Sequence, residues 1–138
     1  MKPDVNEEDV QKKYLELQLL GKRIQAGQQQ LEALDEQLQA LVRTIRELES
    51  FKELRQGSEM LSSIAEGLFV KSSLQDNNEL IVNVGSGVAV VKPVDKAQQM
   101  IRGRMEAGQR HRAALIEELE RMMLEAQEFQ KELGSMLE

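Results

Sequence analysis

Apolar residues in the first third of the chain recur in alternating steps of three and four. Leu17, Leu20, Ile24, Gly27, Leu31, Leu34, Leu38, Leu41, Ile45 and Leu48 form one series that only Gly27 interrupts. Val10 extends it towards the N-terminus, and Lys52 and Arg55 end it. Such spacing keeps a narrow stripe on one side of a helix over many turns and predicts a coiled-coil seam. Asp4 or Asn6 can cap this helix, with Glu7, Glu8 and Asp9 at its positive dipole end, and Gly57-Ser58 is the expected stop. The last third repeats the pattern through Val94, Gln98, Ile101, Met105, Gly108, Arg112, Leu115, Leu119, Met122, Ala126, Phe129, Leu133 and Met136. Gln98, Gly108 and Arg112 weaken its beginning. Pro93 suits a first helical turn, where its missing N–H has no partner to lose. Gly27 and Gly108 each loosen a helix.

The segment between, about residues 58–92, changes period. Leu68-Phe69-Val70, Leu80-Ile81-Val82-Asn83-Val84 and Val88-Ala89-Val90-Val91 read as strands, and Met60-Leu61-Ser62-Ser63-Ile64 as a weaker one. Gln75-Asp76-Asn77-Asn78 and Gly85-Ser86-Gly87 are turn chemistry, because Gly, Asn and Asp tolerate positive φ. Leu80, Val82, Val84, Val88 and Val90 make one apolar face, and Ile81, Ala89 and Val91 make the other apolar as well. A small sheet greasy on both faces needs a cover, here another subunit. Two matched seams flanking a compact insert predict antiparallel pairing of the helices, with both chain ends at one tip. There Val10, Tyr14 and Leu17 would lie near Phe129, Leu133 and Met136. The expected fold is therefore α+β, mostly α: a long antiparallel two-helix coiled coil with two β-hairpins between the helices. It forms one domain over residues 1–138, with helices over about 6–57 and 93–137.

Composition narrows the function. With 30% charged and 3% aromatic residues, the chain uses the vocabulary of long helices, while 41% hydrophobic residues argue against disorder. A net charge of −6 and the scarcity of stacking aromatics argue against nucleic acid as a partner. The absence of cysteine excludes disulfides and thiolate chemistry. The N-terminal MKPDVNEEDV is polar, unlike a signal peptide, and no apolar run nears the ~20 residues a membrane span needs, so a cytoplasmic, membrane-free protein is expected.

Catalytic chemistry finds little footing. Gly85-Ser86-Gly87 leads into a strand, whereas a phosphate loop must lead into a helix N-terminus. His111, the single histidine, falls off the seam between Arg110 and Arg112 and reads as a solvated residue. The carboxylates of Glu117, Glu118 and Glu120 read as a solvated helix face. No catalytic set, metal site or cofactor is expected. The methionines carry more. Met122, Leu133 and Met136 fill the seam, whereas Met123, Leu124, Leu137 and Tyr14 are not needed to close it. Flexible, polarizable side chains suit contact with varied partners.

The insert also resembles a known family. Glu66-Gly67-Leu68-Phe69-Val70-Lys71 and Leu80-Ile81-Val82-Asn83-Val84-Gly85-Ser86-Gly87-Val88-Ala89-Val90 are similar to the two hairpin segments of the prefoldin alpha subunit, and Lys96-Ala97 stands where that family's second long helix begins. Two hairpins rather than one point to the alpha class. Ser62-Ser63-Ile64-Ala65 departs from the family's proline–glycine step. The resemblance implies a non-enzymatic, ATP-independent chaperone subunit in a hexamer of two alpha and four beta subunits, which passes unfolded clients to a group II chaperonin. Assembly would use Leu68, Phe69, Val70, Leu80, Ile81, Val82, Val84, Val88, Val90 and Val91. Clients would meet the tip residues Val10, Tyr14, Leu17, Met122, Met123, Leu124, Phe129, Leu133, Met136 and Leu137. The rival expectation is a structural or filament-forming alpha-like homo-oligomer. An enzyme would need a pocket of convergent polar groups that this sequence gives little means to build.

Overall fold

The computed structural model describes residues 6–137. Helix α1 spans Glu7–Lys52, strands β1 to β4 span Glu59–Ala65, Leu68–Ser73, Glu79–Gly85 and Val88–Pro93, and helix α2 spans Val94–Leu137. Two long helices with two antiparallel hairpins between them are the expected fold. Asn6 is the N-cap of α1: its Oδ1 accepts the Glu8 N–H at 3.1 Å. Asp4, the alternative cap, lies outside the described residues.

The chain divides into two compact units. Among the described residues, the first holds 6–37 and 108–137. Its two helix segments pack antiparallel through the seam, with Leu20, Leu115, Leu119 and Met122 buried and Ile24, Leu31, Ala126 and Phe129 against them. Gly27 does not simply loosen its helix here. A Cβ built on it would lie 2.6 Å from Leu119 Cδ2, so the missing side chain is the space that Leu119 fills. Arg112, an apparent flaw in the seam, donates to Asp35 Oδ1 at 2.5 Å.

The second unit holds residues 38–107. Here α1 ends five residues before Gly57, and the reason is a long-range cap. The Asn77 carboxamide donates to the Lys52 and Leu54 carbonyls at 3.1 and 2.6 Å, while Glu53 and Leu54 turn back in tighter bonds to Ser50 and Phe51. Gly57 serves the entry to β1 instead, with φ +87° and its N–H donated to the Leu74 carbonyl. Pro93 is likewise not in the helix; it ends β4, paired with Glu79. Gln98, another polar seam residue, is 2% exposed and donates to Glu49 Oε1 at 2.7 Å. Leu74, Val94, Ala97 and Ile101 are buried in this unit.

The hairpins are two separate two-stranded sheets that repeat one another at an offset of twenty residues. Glu59 pairs with Ser73 as Glu79 pairs with Pro93, and both ladders bulge just before the turn, at Ile64 and at Val84. The exits match as well. Leu74 and Val94, both buried, donate their N–H groups to Ser58 and Asn78, at 2.9 and 2.8 Å. Gly67, Ser86 and Gly87 hold the turns with positive φ. Gly85-Ser86-Gly87 therefore joins two strands and opens onto no helix.

Candidate interaction surfaces

A strand pair presents two faces, and only the more shielded face of each hairpin is half-buried. In the second hairpin Leu80, Val82 and Val90 take that face, and in the first Met60, Ser62 and Ser72 do, with Ser62 and Ser72 sharing a hydroxyl hydrogen bond of 2.7 Å. The other positions stand open: Ile81 and Val91, cross-strand partners, are 79% and 62% exposed, and Phe69, Leu68, Val70, Val84 and Val88 are exposed too. Leu61 and Ile64, which stand in the weaker strand pattern, add to this surface. The serines around them hid the alternation that would have marked them. Among the described residues, both edges of each sheet are unpaired. A groove of about 480 Å³ lies between the hairpins, lined by Met60, Ser72, Leu74, Leu80, Ile81 and Val91. Exposed apolar faces beside free edges are what a partner's strands can cover.

The first unit sorts the expected tip residues into two groups. Val10, Leu17, Phe129, Leu133 and Met136 are half-buried in the seam. Met122 is buried among Leu20, Leu115 and Leu119, so its place is the core of the helix pair and not a free surface. Tyr14 and Leu137 are 52% and 69% exposed, and Met123 and Leu124 are exposed as well. Leu15 and Leu19 join them, unremarked from the sequence; their spacing of four off the seam was the available signal. Lys13 closes this end. Its ammonium lies 4.3 Å from the centre of the Phe129 ring and 2.6 Å from Glu132 Oε2. The hydrogen bond to Glu132 holds the lysine pKa above its ordinary value. An ammonium so placed is attracted by the ring face as well as by the carboxylate.

His111 is exposed, and no group of acidic, histidine or cysteine side chains among the described residues is arranged to hold a metal ion. No described helix is long and apolar enough to cross a membrane.

Hairpins of one design between two heptad helices define a class of subunit, and comparison with known proteins agrees. The family model described as "Prefoldin subunit" matches residues 20–137. The chain belongs to the prefoldin family. Within it, the chain is of the alpha class. It is 26% identical over 130 residues to prefoldin subunit alpha of Archaeoglobus fulgidus, covering 94% of this chain and 95% of the relative. It is 36% identical over 103 residues to prefoldin subunit alpha of Pyrococcus horikoshii, covering 73% and 69%. The fold also matches a chain in the cryo-EM structure of filamentous PFD from Methanocaldococcus jannaschii, with a TM-score of 0.75 at 16% identity, over 83% of this chain and 95% of that one.

Proposed function

We propose that the chain is the alpha subunit of an ATP-independent holdase, acting as a single functional domain. The observation that carries the reading is two exposed apolar surfaces of different kinds on one chain. One is a pair of hairpins with free edges and uncovered valines and isoleucines, fit for strand pairing with other subunits. The other is a set of side chains on helix segments, Tyr14, Met123, Leu124 and Leu137, which the seam does not use. The hairpins assemble the oligomer, with two alpha and four beta subunits as the family plan. The helix ends hold non-native chains and release them to a group II chaperonin. Weak contacts repeated over several subunits give the needed grip, and no energy source or catalytic group enters. Such a subunit works in the cytoplasm.

The test is to purify the chain alone and with a beta-class subunit, determine the mass of each species, and follow aggregation of a denatured protein without ATP. A defined hetero-oligomer that suppresses aggregation is the expected result; assemblies that suppress nothing overturn the reading. A second reading, a homopolymer built through the same hairpins, draws on the filamentous relative and on the unpaired sheet edges. Long homopolymers that persist in the presence of a beta-class partner would favour it.

A further inference from the structure

Most glutamines of the first unit fall on one flank of the seam; Gln29, Gln30 and Gln37 lie off it. With the seam positions written a and d, the contacts fix the two flanks of the seam. Arg112 at an a position meets Asp35 at e, and Lys13 at d meets Glu132 at g. The g flank is charged, with Glu16, Arg23, Glu118, Glu125 and Glu132. The outward c and f positions carry Lys12, Lys22, Glu117, Arg121, Glu128 and Lys131, with Leu15, Leu19 and Leu124 set among them. The e flank differs. From Tyr14 to Gln28 on α1 and from Ile116 to Leu137 on α2, no e position carries a charge. The b positions beside them add Gln18, Gln25 and Gln127, with Glu120 the one charge over the same stretch. In a chain that is 30% charged, this is a segregated face.

Its chemistry is mixed in one particular way. Tyr14, Met123 and Leu137 are exposed apolar anchors, and Ile116 is half-buried beside them. The intervening glutamines are exposed and make no side-chain hydrogen bond, so their carboxamides are free as donors and acceptors. Gly21, also at e, has open space where a side chain would stand, which leaves a notch in the face. We infer that this flank is the track on which a non-native polypeptide lies, its apolar side chains on the anchors and its unpaired peptide groups on the glutamine carboxamides. The inference rests on the holdase reading and says which face performs it. Anchors at successive e positions stand about 10 Å apart, roughly three residues of extended chain. A neutral carboxamide can serve any sequence, because it pairs with backbone N–H and C=O groups that every residue except proline offers in full. A charge there would lose water without gaining a partner.

The expected occupant is thus an extended, weakly charged segment of an unfolded protein. The experiment uses the assembled protein and two double variants on the same turns of α1. Gln25→Glu/Gln28→Glu puts two carboxylates on the flank; Ala26→Glu/Gln29→Glu puts two on the outward face. Circular dichroism and mass confirm that both fold and assemble. The flank variant should need about tenfold more protein for half-suppression of aggregation of a chemically unfolded probe, and the outward variant should match the parent. Since the chain has no cysteine, Gln130→Cys and Lys131→Cys give a second readout. A probe whose single thiol is activated as an aryl disulfide should exchange preferentially onto the thiolate at position 130, with the aryl thiol as leaving group. Equal losses, or equal disulfide yields, with a parent that still suppresses aggregation overturn the track alone. A parent that fails to suppress aggregation overturns the holdase reading and the track together.

Discussion

Gly27 and Leu119 form the most exacting contact in the helix pair. The glycine sacrifices helix propensity, about 1 kcal/mol relative to alanine. It gains the close fit of Leu119, which leaves 2.6 Å for an added Cβ. Gly27→Ala sets those terms against each other and should change stability by less than about 1 kcal/mol, because a leucine methyl can rotate aside. Gly27→Leu cannot be accommodated that way and should lower stability by about 1–3 kcal/mol. Leu119→Ala in the same chain should restore part of the loss, and thermal unfolding of the four variants measures the coupling. A second residue-scale test concerns Asp95, whose Oδ1 lies 2.5 Å from Lys52 Nζ. The hydrogen bond and charge of Lys52 hold its carboxyl below the ordinary 3.8. A depressed folded pKa means that the pair stabilises the protein above the ordinary carboxylate range, and that this stabilisation is lost as pH falls through the depressed value. NMR titration should place the Asp95 midpoint below that of the Lys52→Met variant; coincident midpoints would show that the pair does not form. With both side chains exposed to solvent, the effect on overall stability should be slight.

The elements were legible to different degrees, and the differences follow from how local their causes are. The seam was legible because a step of three or four residues is written in neighbouring positions. Gln98 and Arg112 looked like weak points because their partners, Glu49 and Asp35, stand on the other helix, 49 and 77 residues away in sequence. The end of α1 was misplaced for the same reason. Gly57 is a plausible stop by composition, but the helix ends where Asn77, from the turn between the hairpins, reaches its last carbonyls. Asn77→Ala should leave those carbonyls without their protein donor and lower stability by roughly 1–2 kcal/mol, with faster amide exchange in the first residues of β1 as the local sign. The second hairpin declared itself through recurring valines, while the first was obscured by Ser62, Ser63, Ser72 and Ser73. Only the shared register and bulge reveal the two as one unit used twice. On the helix faces, the sequence separated Tyr14, Met123, Leu124 and Leu137 from the seam, whereas the glutamines, Gln28-Gln29-Gln30 above all, read only as favouring exposed helix and carried no chemistry. A role for them required knowing which flank of the seam each occupies.

At the scale of the whole molecule, the repeated hairpins bear most directly on assembly. Their open faces differ: the second carries Ile81 and Val91 as an exposed cross-strand pair, whereas the equivalent pair in the first is Leu61 with Lys71. Placing a charge at Val91, as in Val91→Lys, makes the second hairpin resemble the first there. If both hairpins served the same contact, the variant would assemble nearly as the parent does. If an apolar partner covers the second hairpin, the lysine must be buried without a counter-charge, and assembly weakens. We expect the latter. Val91→Lys should shift the mass distribution towards smaller species at a concentration where the parent is fully assembled, while circular dichroism shows the helices intact. Lys71→Val, the converse change, should leave assembly standing, since it removes a charge and adds only apolar surface. The holding activity should fall with the Val91→Lys assembly even though no helix residue has changed. Capture that depends on several subunits at once is lost when the subunits part. A variant that remains small yet suppresses aggregation as well as the parent would separate the two surfaces and place the whole activity on the single chain.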